Sequence, residues 1–148
     1  MAEHKYVVFK LDSGLYGIPI ERIERILPEP PLIRTADDPE LIAGEFQLRG
    51  QAVPALDLRT RLDLAPGGRS AQMVVVMTDA GRCGLRVDDL EGILIIADHD
   101  IEPDSVSFGP PGDPVLVGTA ALGDRVVVLL DIDQVIPRAI RRMVATAA

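Results

Sequence analysis

The sequence predicts an all-β protein built from two copies of one small unit of about five strands, each unit curled into a barrel. Its composition points to this class, because the 148 residues include 15 Val and 13 Ile but are only 3% aromatic. β-Branched side chains favour pleated, half-buried surfaces. The sequence also repeats itself, and five short strands suffice for a small closed barrel.

The repeat emerges when the sequence is aligned with itself. At an offset of 67 residues Gly17 falls on Gly84, and at an offset of 74 residues Leu56–Leu58 falls on Leu130–Ile132. The difference, 74 − 67, implies seven extra residues in the second copy, and the Pro- and Gly-rich stretch 102–114 can hold them. The chain therefore contains the same unit twice.

The elements follow from alternation and turn chemistry within each copy. Asp12–Gly14 and Asp79–Gly81 are tight-turn sequences between apolar runs, so each predicts a hairpin. The predicted strands are 6–11, 15–20, 44–48, 52–57, 73–78, 83–87, 115–121 and 125–131. A single helical turn is predicted after each hairpin, at 21–25 and 88–92, and short helices are predicted at 39–42 and 133–136.

The domain organisation follows from the repeat and from a different C-terminal pattern. We expect one domain over residues 1–148, with barrels over about 12–68 and 69–137 and an N-terminal strand free to exchange between them, because the linker 65–69 is short. Residues 137–148 form a predicted helix with Ile140 and Val144 on its apolar face. This helix either covers the junction of the barrels or binds a membrane surface or a partner.

Composition excludes several classes of function. The net charge is −8 and Lys and Arg form no stripe, which argues against nucleic-acid binding. No apolar run reaches the ~20 residues of a membrane span, so direct membrane insertion is not expected. The N-terminus shows no signal-peptide pattern and there is one cysteine, so we expect a cytoplasmic location.

No set of residues predicts an active site, a cofactor site or a metal site. Asp98-His99-Asp100 is a weak ligand set without a second cluster, and Cys83 is interpreted as an ordinary buried thiol. Asp57 and Asp131 end equivalent strands, where each carboxylate can accept hydrogen bonds from turn amides rather than act as an acid–base pair.

Arg49 is the one charged residue that stands out, because the second copy has Gly123 at the equivalent position. It either tethers main-chain carbonyls in a bend or meets a partner. We expect its guanidinium to be partly buried and bonded near the junction of the barrels.

The sequence resembles the CheW family of chemotaxis coupling proteins from about Tyr6 to Ile136. The resemblance is carried by Tyr-Gly-Ile-Pro-Ile at 16–20, by Gly-Glu-Phe-Gln-Leu-Arg-Gly at 44–50, and by Asp-Leu-Arg at 57–59. It implies two intertwined five-stranded SH3-like barrels. It also implies a non-enzymatic adaptor that links the cytoplasmic tip of chemoreceptors to the regulatory domain of a CheA-type histidine kinase in membrane-associated arrays.

The resemblance also implies a receptor-binding groove between the barrels. The matching positions are Ile20, Ile23, Gly44, Met73 and Val74. Ordinary core positions are the alternative, above all for Val74, and exposure distinguishes the two. The kinase contact is expected at the apolar ends of the barrels.

Two departures from the family pattern concern partner choice. Gln47 stands where the family commonly has Asn, and Arg25 stands where it commonly has Glu. They leave open an adaptor of a non-flagellar chemosensory pathway. A different class of function, a small-ligand or enzymatic domain that uses the cleft between the barrels, has its best support in Asp98-His99-Asp100.

Overall fold

The computed structural model describes residues 3–34, 40–64, 72–103 and 114–146. The strands are β1 (Glu3–Leu11), β2 (Gly14–Pro19), β3 (Ile23–Pro28), β4 (Ile42–Leu48), β5 (Gln51–Asp57), β6 (Gln72–Thr78), β7 (Gly81–Val87), β8 (Asp89–Ala97), β9 (Glu102–Pro103), β10 (Leu116–Leu122) and β11 (Arg125–Leu130). The helices are α1 (Leu58–Arg61), α2 (Ile132–Val135) and α3 (Arg141–Thr146), with 3-10 turns at Ile20–Arg22, Asp98–Asp100 and Arg138–Ile140.

The strands form two sheets, which confirms the all-β prediction. One sheet has the order β8-β1-β2-β11-β10-β9, and the other has the order β3-β6-β7-β5-β4. Each has five principal strands, because β9 is only two residues long. We call the first sheet the outer-hairpin sheet, because it contains the hairpin formed by β1 and β2. We call the second sheet, which consists of β3 to β7, the central sheet.

The two copies of the repeat exchange their hairpins. The hairpin β1–β2 of the first copy lies in the sheet of β8, β10 and β11, and the hairpin β6–β7 of the second copy lies with β3, β4 and β5. The predicted division near residue 68 therefore does not coincide with the sheets. The correction has a physical reason: β2 and β7 each pair in parallel with a strand of the other copy.

Strand register confirms the repeat residue by residue. Gly17 lies opposite Leu129 in one sheet, and Gly84 lies opposite Ala55 in the other. These pairs are related by the offsets of 67 and 74 residues read from the sequence. The β-bulges also correspond, because one lies before Arg25 in β3 and the other before Gly92 in β8.

The core consists of three apolar layers. One cluster fills the interior of the outer-hairpin sheet and includes Tyr6 and Leu129, and a second fills the central sheet and includes Phe46 and Met73. The largest cluster draws side chains from both sheets and lies between them. We call it the junction core.

The C-terminal segment covers this junction. Ile140 and Val144 are buried members of the junction core, and α3 packs against β7. Instead of one continuous helix from residue 137, a 3-10 turn at Arg138–Ile140 precedes the six-residue α3. The buried apolar face supports the interpretation as a cap.

The smaller predicted elements had mixed outcomes. A 3-10 turn follows the first hairpin, but the turn predicted at 88–92 is wrong, because β8 pairs with β1 from Asp89 onward. The helix predicted at 39–42 is wrong at Ile42, which begins β4, and residue 39 lies outside the described residues. The linker 65–69 and most of the stretch 102–114 also lie outside them. Helix α1 was missed, although it is the repeat equivalent of α2.

Candidate functional site

An apolar strip lies where β2 passes into β3, at the edge of the junction core. Ile20 and Ile23 flank the 3-10 turn that connects these strands, and both are half-buried. Ile23 and Ile26 pack against the junction core with part of their surface left accessible. We call Ile20, Ile23 and Ile26 the β3 strip, and two of its members are sequence-predicted receptor-facing residues.

Strand β6 pairs with β3 and places buried residues beside the β3 strip. Val74 lies opposite Ile26 in the sheet, and Met73 lies opposite Leu27. Both Met73 and Val74 are 0% exposed. Met73 belongs to the interior of the central sheet and Val74 to the junction core, so neither offers surface in this structure.

Gly44 is approached by the chain's own backbone. Its φ is +149°, and a Cβ there would lie 3.0 Å from both the carbonyl oxygen of Ile33 and the Cβ of Leu32. Ile33 and Glu45 exchange two main-chain hydrogen bonds at this point. In the other sheet Gly118 allows Glu102 the same close approach. Residues 32–33 of the chain itself thus occupy the space that the absence of a side chain at Gly44 leaves open.

Arg49 is exposed, so the prediction of a partly buried guanidinium is wrong. Arg49 and Gly50 form the two-residue connection between β4 and β5, and their φ values are +53° and +81°. Two positive φ angles are typical of a type I′ hairpin turn, which projects its side chains away from the sheet. The bend is held by strand pairing and needs no arginine.

Among the residues that the structure describes, the buried arginine is Arg59, which sequence reasoning missed. Arg59 in α1 is 6% exposed. Its Nη1 donates to Asp12 Oδ1 at 2.5 Å, and its Nη2 donates to both carboxylate oxygens of Asp88 at 2.5 Å. Asp88 also accepts from the main-chain N of Asp12 at 2.7 Å. Arg59 thus ties the β1–β2 turn and the β7–β8 junction to α1, and so links the two sheets.

The second copy has a corresponding ion pair, in which an acid takes the place of Arg59. Asp133 occupies the repeat position of Arg59 and accepts hydrogen bonds from the guanidinium of Arg22 and from Asp79 N, the latter at 2.9 Å. Hydrogen bonds from Arg22 hold the pKa of Asp133 below its ordinary value. In the sequence, Arg59 and Asp133 occupy equivalent positions of the repeat and carry opposite charges. This difference is the sequence signal that could have revealed both linkages.

Asp57 and Asp131 have the structural role that was predicted. Asp57 Oδ1 accepts from the main-chain N of Arg59 at 3.1 Å, and Asp131 Oδ1 accepts from that of Asp133 at 3.0 Å. Each carboxylate therefore caps the first turn of α1 or α2. They lie in different copies and cap different helices, which explains their presence without acid–base chemistry.

A second apolar surface, not identified from the sequence, lies on β8. Leu90, Ile93 and Ile95 are 37%, 60% and 56% exposed. We call them the β8 strip. Leu90 and Ile93 occupy the repeat positions of Ile23 and Ile26, so the repeat relates the two strips. Since β8 is the edge strand of the outer-hairpin sheet, its strip is open to a partner.

Comparison with known proteins decides the family. The model of the CheW-like domain matches residues 5–139. The chain belongs to the CheW-like family. The predicted function, a chemotaxis scaffold that couples receptors to a CheA-type kinase, is confirmed by this membership, and the family is one of non-enzymatic adaptors.

Individual CheW-like relatives agree with this assignment. The chain is 28% identical to the chemotaxis protein CheW of Klebsiella aerogenes over 134 residues, which are 89% of this chain and 81% of the relative. It is 26% identical to the chemotaxis protein CheV3 of Helicobacter pylori, covering 84% of this chain but 42% of that protein. The crystal structure of the scaffolding protein TtCheW from Thermoanaerobacter tengcongensis superposes with a TM-score of 0.82 at 25% identity, covering 91% of this chain and 88% of TtCheW. This likeness confirms the fold prediction of two SH3-like barrels.

The residues that supported an enzymatic alternative lie at the surface of this CheW-like chain. Asp98, His99 and Asp100 form an exposed 3-10 turn, where Asp98 contacts His4 of β1. Among residues 3–34, 40–64, 72–103 and 114–146, no three His, Cys, Asp or Glu side chains come together in a metal-binding arrangement. Burial raises the pKa of the Cys83 thiol to about 12, so this cysteine is held as an unreactive thiol.

The α-helices of the described residues are four to six residues long. Within the part of the chain that the structure describes, none combines the necessary length with sufficient apolar character.

Proposed function

We propose that this CheW-like chain acts in the cytoplasm, without catalysis of its own, and holds a chemoreceptor tip and a CheA-type kinase regulatory domain through two separate surfaces at membrane-associated arrays. The observation that carries the proposal is the pair of apolar strips on the two barrels, together with membership of the family. An adaptor must bind two partners at once, so it needs two surfaces that do not overlap.

The β3 strip is the proposed receptor surface. A receptor tip is a helical hairpin, and such a helix docks apolar side chains spaced three or four residues apart into an apolar groove. Ile20 and Ile23 supply accessible apolar surface at the edge of the junction core. The other proposed positions shape this surface: Met73 and Val74 from the buried strand beneath it, and Gly44 by admitting residues 32–33 close to β4.

The β8 strip is the proposed kinase surface. Ile93 and Ile95 are more than half exposed on the edge strand of the other barrel. Exposed apolar residues clustered on one strand mark interaction surfaces. The strip is the repeat counterpart of the β3 strip, so one protein presents similar surfaces in two places and can hold two partners side by side.

Reciprocal substitutions test the two assignments. We expect Ile23→Asp to abolish binding of a purified receptor-tip fragment and to leave binding of the kinase regulatory domain unchanged. Ile93→Asp should have the opposite effect. Val117→Asp is the matched control, because Val117 on β10 is 46% exposed and lies in neither strip. Binding is measured by co-precipitation and calorimetry on variants whose circular dichroism and melting temperature match the wild type.

Two outcomes contradict the assignment. If Ile23→Asp binds the receptor fragment as the wild type does, the receptor surface lies elsewhere. If Val117→Asp weakens binding as much as either strip variant, an added charge rather than a particular surface explains the losses.

A further inference from the structure

Three arginines surround a small pocket at one end of the central sheet. A cavity of about 60 Å³ is lined by Glu24, Arg25, Leu48, Arg49 and Arg82. Glu24 Oε1 accepts a hydrogen bond from Arg82 Nη2 at 2.8 Å, so this acid neutralises one of the three cations. Arg25 and Arg49 are exposed and have no hydrogen bond or ion pair with the described part of the chain. The pocket therefore carries two uncompensated positive charges on a protein whose net charge is −8.

The fold does not need these arginines. In the other barrel the repeat positions of Arg25, Arg49 and Arg82 are Gly92, Gly123 and Leu15. The strand register there is equivalent, so the same architecture forms without any of the three cations.

Arg49 is retained at a conformational cost. Its φ of +53° is one that glycine adopts freely, and the equivalent turn of the second copy uses Gly123 at φ +65°. A left-handed conformation is unfavourable for a residue with a side chain, because the Cβ atom crowds the neighbouring carbonyl oxygen. A side chain that costs stability and has no partner within the described residues is explained by a partner outside the chain.

We propose that this pocket binds a carboxylate side chain of the receptor tip. Guanidinium groups present fixed forks of donors that match a carboxylate, and those of Arg25 and Arg49 can orient it beside the Arg82–Glu24 pair. Glu24 and Arg25, which line the pocket, follow Ile23 directly in β3, so the pocket lies within a few residues of the β3 strip along the chain. This inference rests on the proposed receptor surface, and it adds that a helix lying on the β3 strip carries an Asp or Glu that reaches the pocket.

The first experiment tests the pocket without a receptor. Sodium sulfate is titrated at constant ionic strength into protein labelled with ¹⁵N-arginine, and the side-chain Nε–Hε resonances are followed. We expect the resonances of Arg25, Arg49 and Arg82 to shift together and to saturate, while that of exposed Arg34 does not. Shifts that never saturate, or that Arg34 shares, overturn the pocket as an anion site.

The second experiment identifies the occupant. Arg25→Glu and Arg49→Glu should each weaken binding of the receptor-tip fragment by about 10- to 100-fold, the range of a lost charge-assisted hydrogen bond. Arg34→Glu is the control for net charge and should change the affinity by less than about twofold. A Lys substitution at one acidic position of the tip should restore binding to Arg49→Glu.

A third variant separates binding from stability. Arg49→Gly relieves the turn, so we expect a higher melting temperature together with weaker receptor binding. If the wild type does not bind the receptor tip, the proposed function fails, and the sulfate titration still decides whether the anion site exists. If the wild type binds and the Arg25 and Arg49 variants bind equally well, the inference fails while the proposed function stands.

Discussion

Replacing Arg59 by methionine is the most direct test of how the two barrels are held together. Methionine keeps most of the length and apolar stem of arginine and removes the charge. The side chain of Arg59 is 8% exposed, whereas those of its partners Asp88 and Asp12 are 18% and 51% exposed. The substitution therefore leaves one largely buried carboxylate and one half-exposed carboxylate without their cation.

The magnitude follows from these exposures. Removing one partner of a buried ion pair costs about 3–5 kcal/mol, because the remaining charge stays desolvated. Water can replace the guanidinium at Asp12 but not at Asp88, and Asp88 keeps its bond from Asp12 N at 2.7 Å. We expect a loss of about 2–4 kcal/mol in the free energy of unfolding, and a fall of about 5–15 °C in melting temperature for a chain of this size.

Urea denaturation at pH 7 and calorimetry measure this loss. A double variant, Arg59→Met with Asp88→Leu, is the matched control, and it should be more stable than Arg59→Met alone because no unpaired buried charge remains. Arg59→Lys should lie between the wild type and Arg59→Met, since one ammonium cannot serve both carboxylates. An Arg59→Met variant within about 0.5 kcal/mol of the wild type would refute the role assigned to this linkage.

Three further predictions concern other parts of the fold. Hydrogen bonds from Arg22 lower the pKa of Asp133. The contribution of Asp133 to stability is therefore present above the ordinary carboxyl pKa of about 3.9 and is lost as the pH falls through its lower folded-state value. The difference in urea midpoint between the wild type and Asp133→Asn should shrink from pH 7 to about pH 2, and a constant difference would contradict this prediction. Because burial raises the pKa of Cys83 to about 12, its thiol should resist a disulfide reagent at pH 8 until denaturant is added, and rapid labelling of the native protein would contradict the structure. A Cβ at Gly84 would lie 2.7 Å from Met73 Sδ and 2.8 Å from Phe46 Cε1. Gly84→Ala should therefore lower the free energy of unfolding by about 1–3 kcal/mol through overpacking. An unchanged melting temperature would show that the surrounding side chains rearrange without cost.

Most strands and the two hairpins could be predicted from the sequence, but the sheet in which each hairpin lies could not. Alternation shows which face of a strand is buried, and the offset between Gly17 and Gly84 relates the two copies. Neither signal tells whether the hairpin containing Gly17 packs in its own copy or in the other one. That choice depends on the length of the connections and on the parallel pairing of β2 with β11, which only the folded chain shows.

The candidate site was predicted in part for a related reason. Ile20 and Ile23 lie at the surface of the junction core, whereas Met73 and Val74 lie beneath it, because one more strand of the sheet separates them from solvent. Arg49 stands out in the sequence and Arg59 does not, since an arginine after a strand has the same local pattern in a turn as in a buried helix. Only the position of Asp12 and Asp88 around Arg59 distinguishes the two.

The exchange of hairpins also sets the order in which the protein can be completed during synthesis. All strands of the central sheet have been made once the ribosome has passed Val87 at the end of β7. The hairpin β1–β2 is made first, yet its neighbours β8 and β11 end at Ala97 and Leu130. Domains fold as their residues emerge. Among the described strands, the hairpin β1–β2 therefore precedes every strand of the central sheet in the sequence, yet its own sheet can be completed only after the central sheet has all its strands.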